Sequence, residues 1–321
     1  MPDLNQRNPL MADYLIQNAI WWIEYAGISG IRMDTYPYPD KEFMSRWTCE
    51  VMSEYPNFNI VGEEWTTNPV IVSYWQQGKD NHDGYSSCLP ALMDFPMQNA
   101  LVRGLTEEEK SYGSGLIETY KALSMDFLYA SPDDLVIFPD NHDMDRIFTQ
   151  VGEDLDLFKQ SLLFMATMRG IPQIYYGTEV LMSNSKHPND HGMIRSDFPG
   201  GWPGDKVDAV SGEGLTQRQL EAQEWTRKLF QWRKNNPVIH KGKLMQFAPE
   251  DGVYVYFRYL DEKKVMVVFN KNEELHTLDL SRFKEMLAHH QKANDILEER
   301  IIELNETLVL PPRTPKLLEL K

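Results

Sequence analysis

The sequence predicts an α/β protein built on a parallel sheet, followed by a smaller antiparallel β domain. Three observations carry this. Short apolar segments alternate with amphipathic, helix-length segments along the chain up to Pro237. Five of the apolar segments have strand character. Beyond Pro237 two runs rich in valine and aromatic residues flank a polar turn. Alternation of strand and helix implies parallel pairing, because each crossover must return to the same edge of the sheet.

The elements follow in order. Asn8-Pro9 reads as an N-cap followed by proline at the first helical position. Leu15, Ala19, Trp22 and Ala26 then keep helical spacing, and Gly27 stops the helix. Residues 28–34 form a short strand. A second helix starts near Asp40 and ends before Pro56, and residues 58–63 form the second strand. A weaker strand lies around residues 89–95. Residues 135–138 and 171–176 are two more, with a helix over 155–168 between them. Thr106 with Glu109, and Thr216 with Gln219, have the spacing of capping boxes before helices. The helix after Thr216 runs through Trp225, Leu229 and Trp232 and ends near Asn236-Pro237. Residues 253–257 and 265–269, on either side of Asp261-Glu262-Lys263, read as a hairpin.

Composition removes several function classes. The 321 residues are enough for two domains. A net charge of −16 repels a phosphate polymer and argues against nucleic-acid binding, whereas a neutral ligand such as a sugar meets no such penalty. Two cysteines, Cys49 and Cys88, exclude a disulfide-rich scaffold and leave the redox compartment open. No apolar run is long enough to span a membrane. Residues 1–5 do not read as a signal peptide.

The chemistry is at the strand ends. Asp34 ends the first strand, and Arg32, two positions earlier, shares its face. A guanidinium there can hold the carboxylate ionised and oriented. Glu63 and Glu64 end the second strand, and Asp140-Asn141-His142-Asp143 follows the fourth. C-terminal ends of parallel barrel strands are where active sites gather. Retaining glycoside cleavage needs two carboxyl groups about 5–5.5 Å apart, one to attack and one to protonate the leaving oxygen. Taken singly, each feature has a structural reading: a surface ion pair, a solvated strand end, a hydrogen-bonded histidine. Taken together, in order and all at strand ends, they make that structural reading hard to keep.

Five segments carry a family resemblance. Gly30-Ile31-Arg32-Met33-Asp34 resembles the strand-four signature of the α-amylase family, glycoside hydrolase family 13. Val61-Gly62-Glu63-Glu64-Trp65 resembles its strand-five signature, and Phe138-Pro139-Asp140-Asn141-His142-Asp143 its strand-seven signature. Residues 170–179 resemble the region around strand eight. Met1-Pro2-Asp3-Leu4-Asn5 resembles the short motif that ends the loop domain after strand three. In flavour these motifs are closest to neopullulanases and cyclomaltodextrinases of starch-utilisation systems.

The resemblance implies a partial (β/α)8 TIM barrel, strands four to eight, followed by an antiparallel β-sandwich. It divides the chain into residues 1–237, the C-terminal part of the catalytic barrel, and residues 238–321, a C-terminal β domain. It implies that strands one to three lie outside this chain, which then reads as the C-terminal portion of a longer enzyme. Residue by residue, Asp34 matches the nucleophile, Glu63 the general acid/base and Asp143 the transition-state stabiliser. Arg32 matches the residue that orients the nucleophile, and His142 a histidine that binds sugar hydroxyls. Glu64 falls on the opposite face from Glu63. Trp65 has two readings, a sugar platform or a packed indole. Tyr36 and Tyr38 are expected to line the cleft. Arg195, Asp197 and Phe198 have two readings as well, substrate contact or structural turn. No cofactor is required for such chemistry, and the structural calcium of relatives is expected outside this chain. The implied partner is an α-glucan oligosaccharide or polysaccharide, with no nucleic acid and no membrane segment. The oligomeric state is not legible. The full-length enzyme is expected to be periplasmic or extracellular.

Two further groupings are weaker. His187 and His191 are four apart, but Pro188, Asn189 and Gly192 between and beside them argue for a loop rather than a zinc-binding helix. Asp80-Asn81-His82-Asp83-Gly84 lacks the alternating ligands and distant glutamate of a calcium loop. The leading function is therefore a retaining α-glucan hydrolase. The alternatives are a transglycosylase on the same residues, a non-catalytic glucan-binding fragment and a barrel-bearing transport accessory. The last is disfavoured by the full carboxylate set and the missing membrane segment.

Overall fold

The computed structural model describes residues 3–110 and 113–321. The chain divides into two compact units. The first comprises Met1–Asn99, Ala122–Ile137 and Gly170–Pro172; the second comprises Ala100–Lys121, Phe138–Arg169 and Gln173–Lys321.

The first unit holds five short parallel strands: β1 (Gly30–Met33), β2 (Asn59–Gly62), β3 (Ala91–Leu92), β4 (Val136–Ile137) and β5 (Ile171–Pro172). β1, β2 and β3 are neighbours in that order, and β4 pairs with β5. A parallel bridge between Met93 and Val136 joins the two sets. The last strand is shorter than the expected 171–176.

The first helix, Pro9–Ala26, starts as the sequence implies. The Asn8 side chain accepts from the N–H groups of Leu10 and Met11, and Gly27 closes the helix in the left-handed region at φ 62°. Its buried stripe is Ala12, Ile16, Ala19 and Ile23. That is rotated from the expected Leu15–Ala19–Trp22–Ala26 stripe, and Trp22 is 47% exposed. The two stripes share Ala19 and differ by one residue, a rotation that period alone cannot separate when both sides carry apolar residues. Ile16 and Ile23 pack against the helix Lys41–Glu54 in a core with Phe43, Met44, Trp47, Ile60 and Leu92. Each such aliphatic side chain contributes about 1.5–3 kcal/mol by leaving water. Cys49, on that helix, is disulfide-bonded to Cys88, 39 residues on.

In the second unit, helices Leu155–Thr167 and Gln217–Lys234 pack together. Thr216 and Gln219 form the expected capping box. Arg233 donates to the carbonyls of Ala166 and Met168, each at 3.1 Å, satisfying acceptors that a helix end leaves without partners. Thr106 does not start a helix. It ends the helix Phe95–Thr106, and its hydroxyl bonds back to the Val102 carbonyl. Glu109 is occupied by Leu116 N–H and Lys271 instead. The cap spacing misleads here because Ser/Thr also bond backward inside helices.

The rest of this unit is antiparallel: β6 (Lys243–Glu250), β7 (Val253–Leu260), β8 (Lys263–Asn270), β9 (His276–Asp279), β10 (Lys292–Asp295), β11 (Arg300–Glu303), β12 (Thr307–Leu310) and β13 (Lys316–Leu320). Six strands run in the order β11-β10-β13-β8-β7-β6, and β12 pairs with β9. Both sheets feed one apolar core with Phe257, Val268, Leu278, Leu310 and Leu318. The hairpin β7–β8 turns at Asp261-Glu262, with Asp261 at φ 52°.

Candidate active site

The six residues singled out by the sequence fall into two groups, one in each unit. Arg32, Asp34, Glu63 and Trp65 belong to the first, and His142 and Asp143 to the second.

In the first group the parallel register between β1 and β2 sets Arg32 opposite Val61 and Met33 opposite Gly62. Pairing continues one step further, with the Glu63 N–H donating to the Met33 carbonyl at 3.0 Å. Gly62 lets the neighbours approach closely there: an added Cβ would sit 2.8 Å from the Leu89 side chain and 3.1 Å from the Tyr36 ring, and both would have to shift. The Glu63 carboxylate thereby reaches two donors. Arg32 Nη2 stands 2.5 Å from its Oε1, and the Thr35 N–H 3.1 Å from its Oε2. Thr35 takes a left-handed backbone at φ 47°, which for a β-branched residue costs on the order of 1–3 kcal/mol. Arg32 Nη1 donates to Asp34 Oδ1 at 2.8 Å. One guanidinium therefore joins both carboxylates.

The two carboxylates differ in environment. The Glu63 side chain is 5% exposed and that of Asp34 65%. Burial pushes the Glu63 carboxyl above its ordinary range, and neighbouring Asp34 adds to this. The Thr35 N–H and the Arg32 charge oppose the shift without cancelling it. Glu64 points elsewhere and accepts from the Trp75 indole N–H at 2.8 Å. Trp65 is half exposed, with its ring 4.6 Å from that of Phe95. The indole is thus packed against Phe95 on one side and open on the other. Tyr38 is exposed, but Tyr36 is fully buried, edge-on to Trp75. Tyr36 therefore does not line a cleft; the left-handed turn at Thr35 sends it inward.

In the second group the segment after β4 is pinned by Asp140. Its carboxylate accepts the Ile147 N–H at 2.7 Å and the Thr178 hydroxyl at 3.1 and 3.2 Å. Full burial pushes it up to about 6, against the lowering effect of the Ile147 N–H and Arg146. The next residues carry the group itself. Asn141 Oδ1 accepts the Asp143 N–H at 2.8 Å, and His142 Nε2 lies 3.0 Å from Asp143 Oδ2. Arg195, 52 residues later, donates to Asp143 Oδ1 from Nη2 and to the His142 carbonyl from Nε at 2.9 Å. This pairing has no periodic signal in the sequence. Its only trace is an arginine in a Gly/Pro-rich loop.

Of the weaker groupings, residues 80–84 lie in a loop, whereas the two histidines fall in a turn and in the single helical turn that follows it. His191 opens a four-residue helix and His187 sits in the turn before it. Asp83 is taken by the Tyr74 hydroxyl at 2.7 Å and Lys41 at 3.1 Å. Among the described residues no cluster of three or more His, Cys, Asp or Glu could hold a metal ion. Among them, too, no helix is long and apolar enough to cross a membrane.

Comparison with known proteins bears on the family and the fold. Residues 1–237 match the family model for the α-amylase catalytic domain. The chain belongs to the α-amylase family. Within that family of glycoside hydrolases and transferases, residues 244–319 also match the cyclomaltodextrinase C-terminal domain. The maltogenic α-amylase of Bacillus acidopullulyticus is 26% identical over 327 residues, covering 99% of this chain and 50% of that one. A cyclomaltodextrin glucanotransferase of Geobacillus stearothermophilus is 29% identical over 273 residues, 85% of this chain and 34% of that one. This α-amylase-family chain thus spans half the length of the first relative and about a third of the second. The α-amylase of Geobacillus thermoleovorans, solved with acarbose, superposes with a TM-score of 0.81 at 24% identity, covering 100% of this chain and 66% of that one. A cyclic α-maltosyl-(1→6)-maltose hydrolase of Arthrobacter globiformis gives 0.72 at 18%, covering 98% and 61%. At such identities these structures speak to the fold alone.

Proposed function

We propose that this chain supplies the catalytic carboxylates of a retaining α-glucan hydrolase acting on α-1,4 links, with α-1,6 links and cyclodextrins as further substrates. The observation that carries the reading is the pair Asp34 and Glu63. Two carboxyl groups share one arginine, yet one is open to solvent and the other is buried and harder to ionise. That asymmetry is what a nucleophile and a general acid require.

In this reading Asp34 attacks the anomeric carbon, held in orientation by Arg32 Nη1. Glu63 gives its proton to the departing glycosidic oxygen and leaves a covalent glycosyl-enzyme. The deprotonated Glu63 then takes a proton from water, which releases the sugar with retained configuration. Asp143 and His142 bind sugar hydroxyls and favour the oxocarbenium-like transition state, and Trp65 offers its free ring face to a sugar. We read the five parallel strands as strands four to eight of the family's eight-stranded barrel. The chemistry runs on carboxyl groups and needs no cofactor. The Cys49–Cys88 disulfide favours an oxidising compartment, periplasmic or extracellular.

Asp34→Asn and Glu63→Gln test the assignment in the protein at its natural length. Each is expected to lower maltooligosaccharide turnover by at least about 10³-fold while leaving the fold intact. Near-normal turnover by either variant would overturn it. A second reading, transfer to a sugar acceptor, is favoured by the glucanotransferase relatives. The products formed with a labelled acceptor sugar separate the two.

A further inference from the structure

We propose that Arg195 is a positioning residue that holds the carboxylate of Asp143 and the backbone beside it in one working geometry. The inference deepens the function proposed above and rests on it. Both oxygens of Asp143 are engaged by this chain: Oδ2 faces His142 Nε2 at 3.0 Å, and Oδ1 receives Arg195 Nη2. The same guanidinium donates from Nε to the His142 carbonyl at 2.9 Å. Carboxylate and peptide are thus gripped along one edge of a planar fork. A lysine, with a single ammonium at the tip of a flexible stem, cannot span both acceptors.

Arg195 is itself held on both sides. The carbonyl of Ile194 accepts from Arg146 Nε at 3.0 Å, and that of Ser196 from the Tyr176 hydroxyl at 2.8 Å. The Arg195 N–H bonds to the His191 carbonyl, closing the short helix capped by Asp190. Arg146 is buried and stacks on the Tyr175 ring at 4.0 Å. The segment that delivers Arg195 is therefore anchored by a side-chain hydrogen bond on either side of it. The side chain, by contrast, is 47% exposed. An exposed ion pair contributes little to stability, so a grip built this firmly around one has its use in placing Asp143. Sequence separation hides the relation.

The test compares wild type, Arg195→Ala and Arg195→Lys for kcat and KM on a maltooligosaccharide, with melting temperature as the fold control. Arg195→Ala is expected to lose about 10–10²-fold in kcat with KM changed by less than about threefold, because positioning acts on the transition state. Added guanidinium ion should restore part of the Ala variant's rate, and Arg195→Lys should remain close to the Ala variant. Melting temperatures should stay together. Wild-type kcat in Arg195→Ala overturns the inference. So does a loss that follows the melting temperature and ignores guanidinium, which is the mark of a merely structural tether. Asp34→Asn and Glu63→Gln run alongside. If they abolish cleavage while Arg195→Ala does not change it, only the Arg195 inference falls. If wild type cleaves no α-glucan, both readings fall.

Discussion

Arg32 Nη2 lies 2.5 Å from Oε1 of the buried Glu63. The contact works against the acid role proposed for Glu63. A cation beside a carboxyl favours its ionised form, and the proposed acid must arrive protonated. Burial and the Asp34 charge outweigh Arg32, so the Glu63 carboxyl still sits above its ordinary range. Arg32 therefore tunes Glu63 downward while orienting Asp34.

Removing Arg32 should separate these effects. In Arg32→Met the Glu63 carboxyl loses its lowering partner, so its pKa rises further. The acid form then persists to higher pH, and the alkaline limb of the kcat/KM profile moves upward. Turnover should fall by about 10²–10³-fold as the charge beside Asp34 is lost. A limb that stays put or moves to lower pH would show that Glu63 does not set it.

Asp140 offers a stability measurement on the other group. Its folded pKa is about 6, against an ordinary 3.8. The fold thus binds the proton more tightly than the unfolded chain. The contribution is fully present below about pH 4 and is lost as pH rises through 6, a change of about 3 kcal/mol. Asp140→Asn cannot ionise and keeps an oxygen for the Ile147 N–H. It should flatten the decline in stability between pH 4 and 6 and equal or exceed wild type at pH 7. Denaturant titrations at pH 4, 5, 6 and 7 would show parallel wild-type and variant curves if Asp140 were not the group responsible.

The strand-end carboxylates were legible because they rest on the simplest rule of strands. A period of two puts Arg32 beside Asp34 and separates Glu63 from Glu64, and the structure keeps both relations. Caps at Asn8 and Thr216 were legible for the same reason, being local. The exposure of Trp22 is not legible, because its helix is apolar on more than one side. The role of Thr106 is not legible, because the same Thr–Glu spacing fits both a cap and a threonine bonded backward within its helix. The link from Arg195 to Asp143 and the link from Cys49 to Cys88 depend on tertiary approach, which no local pattern encodes.

The antiparallel part of the second unit hides an ion triad. Lys316, 2% exposed, reaches Asp295 Oδ2 at 3.0 Å and Glu298 Oε1 at 2.5 Å, and Asp295 is wholly buried. The other oxygen of Asp295 accepts the N–H groups of Leu297 and Glu298. Lys316→Met strands a buried carboxylate and should cost about 3–5 kcal/mol. Adding Asp295→Asn to it should recover part of that loss, since the stranded charge is gone. Chemical unfolding of the two single variants and the double variant measures the coupling. Strict additivity would mean that the triad does not act as a unit.

The disulfide closes a loop that contains β2 and Glu63. Cys49 lies on the helix Lys41–Glu54 and Cys88 shortly before β3, and the Cys88 N–H also donates to Thr48 Oγ1 at 3.3 Å. The bridge therefore ties the helix to the strand edge on either side of the acid. For a sequence separation of 39, the chain-entropy relation gives about 4 kcal/mol of stabilisation. Reductant should lower the denaturant midpoint of the wild type, and the Cys49→Ala/Cys88→Ala variant should unfold at that lowered midpoint with or without reductant. The protein recovered from an oxidising compartment should carry no free thiol. A midpoint insensitive to reductant, or two titratable thiols in the folded protein, would remove both the bridge and the argument for an oxidising compartment that rests on it.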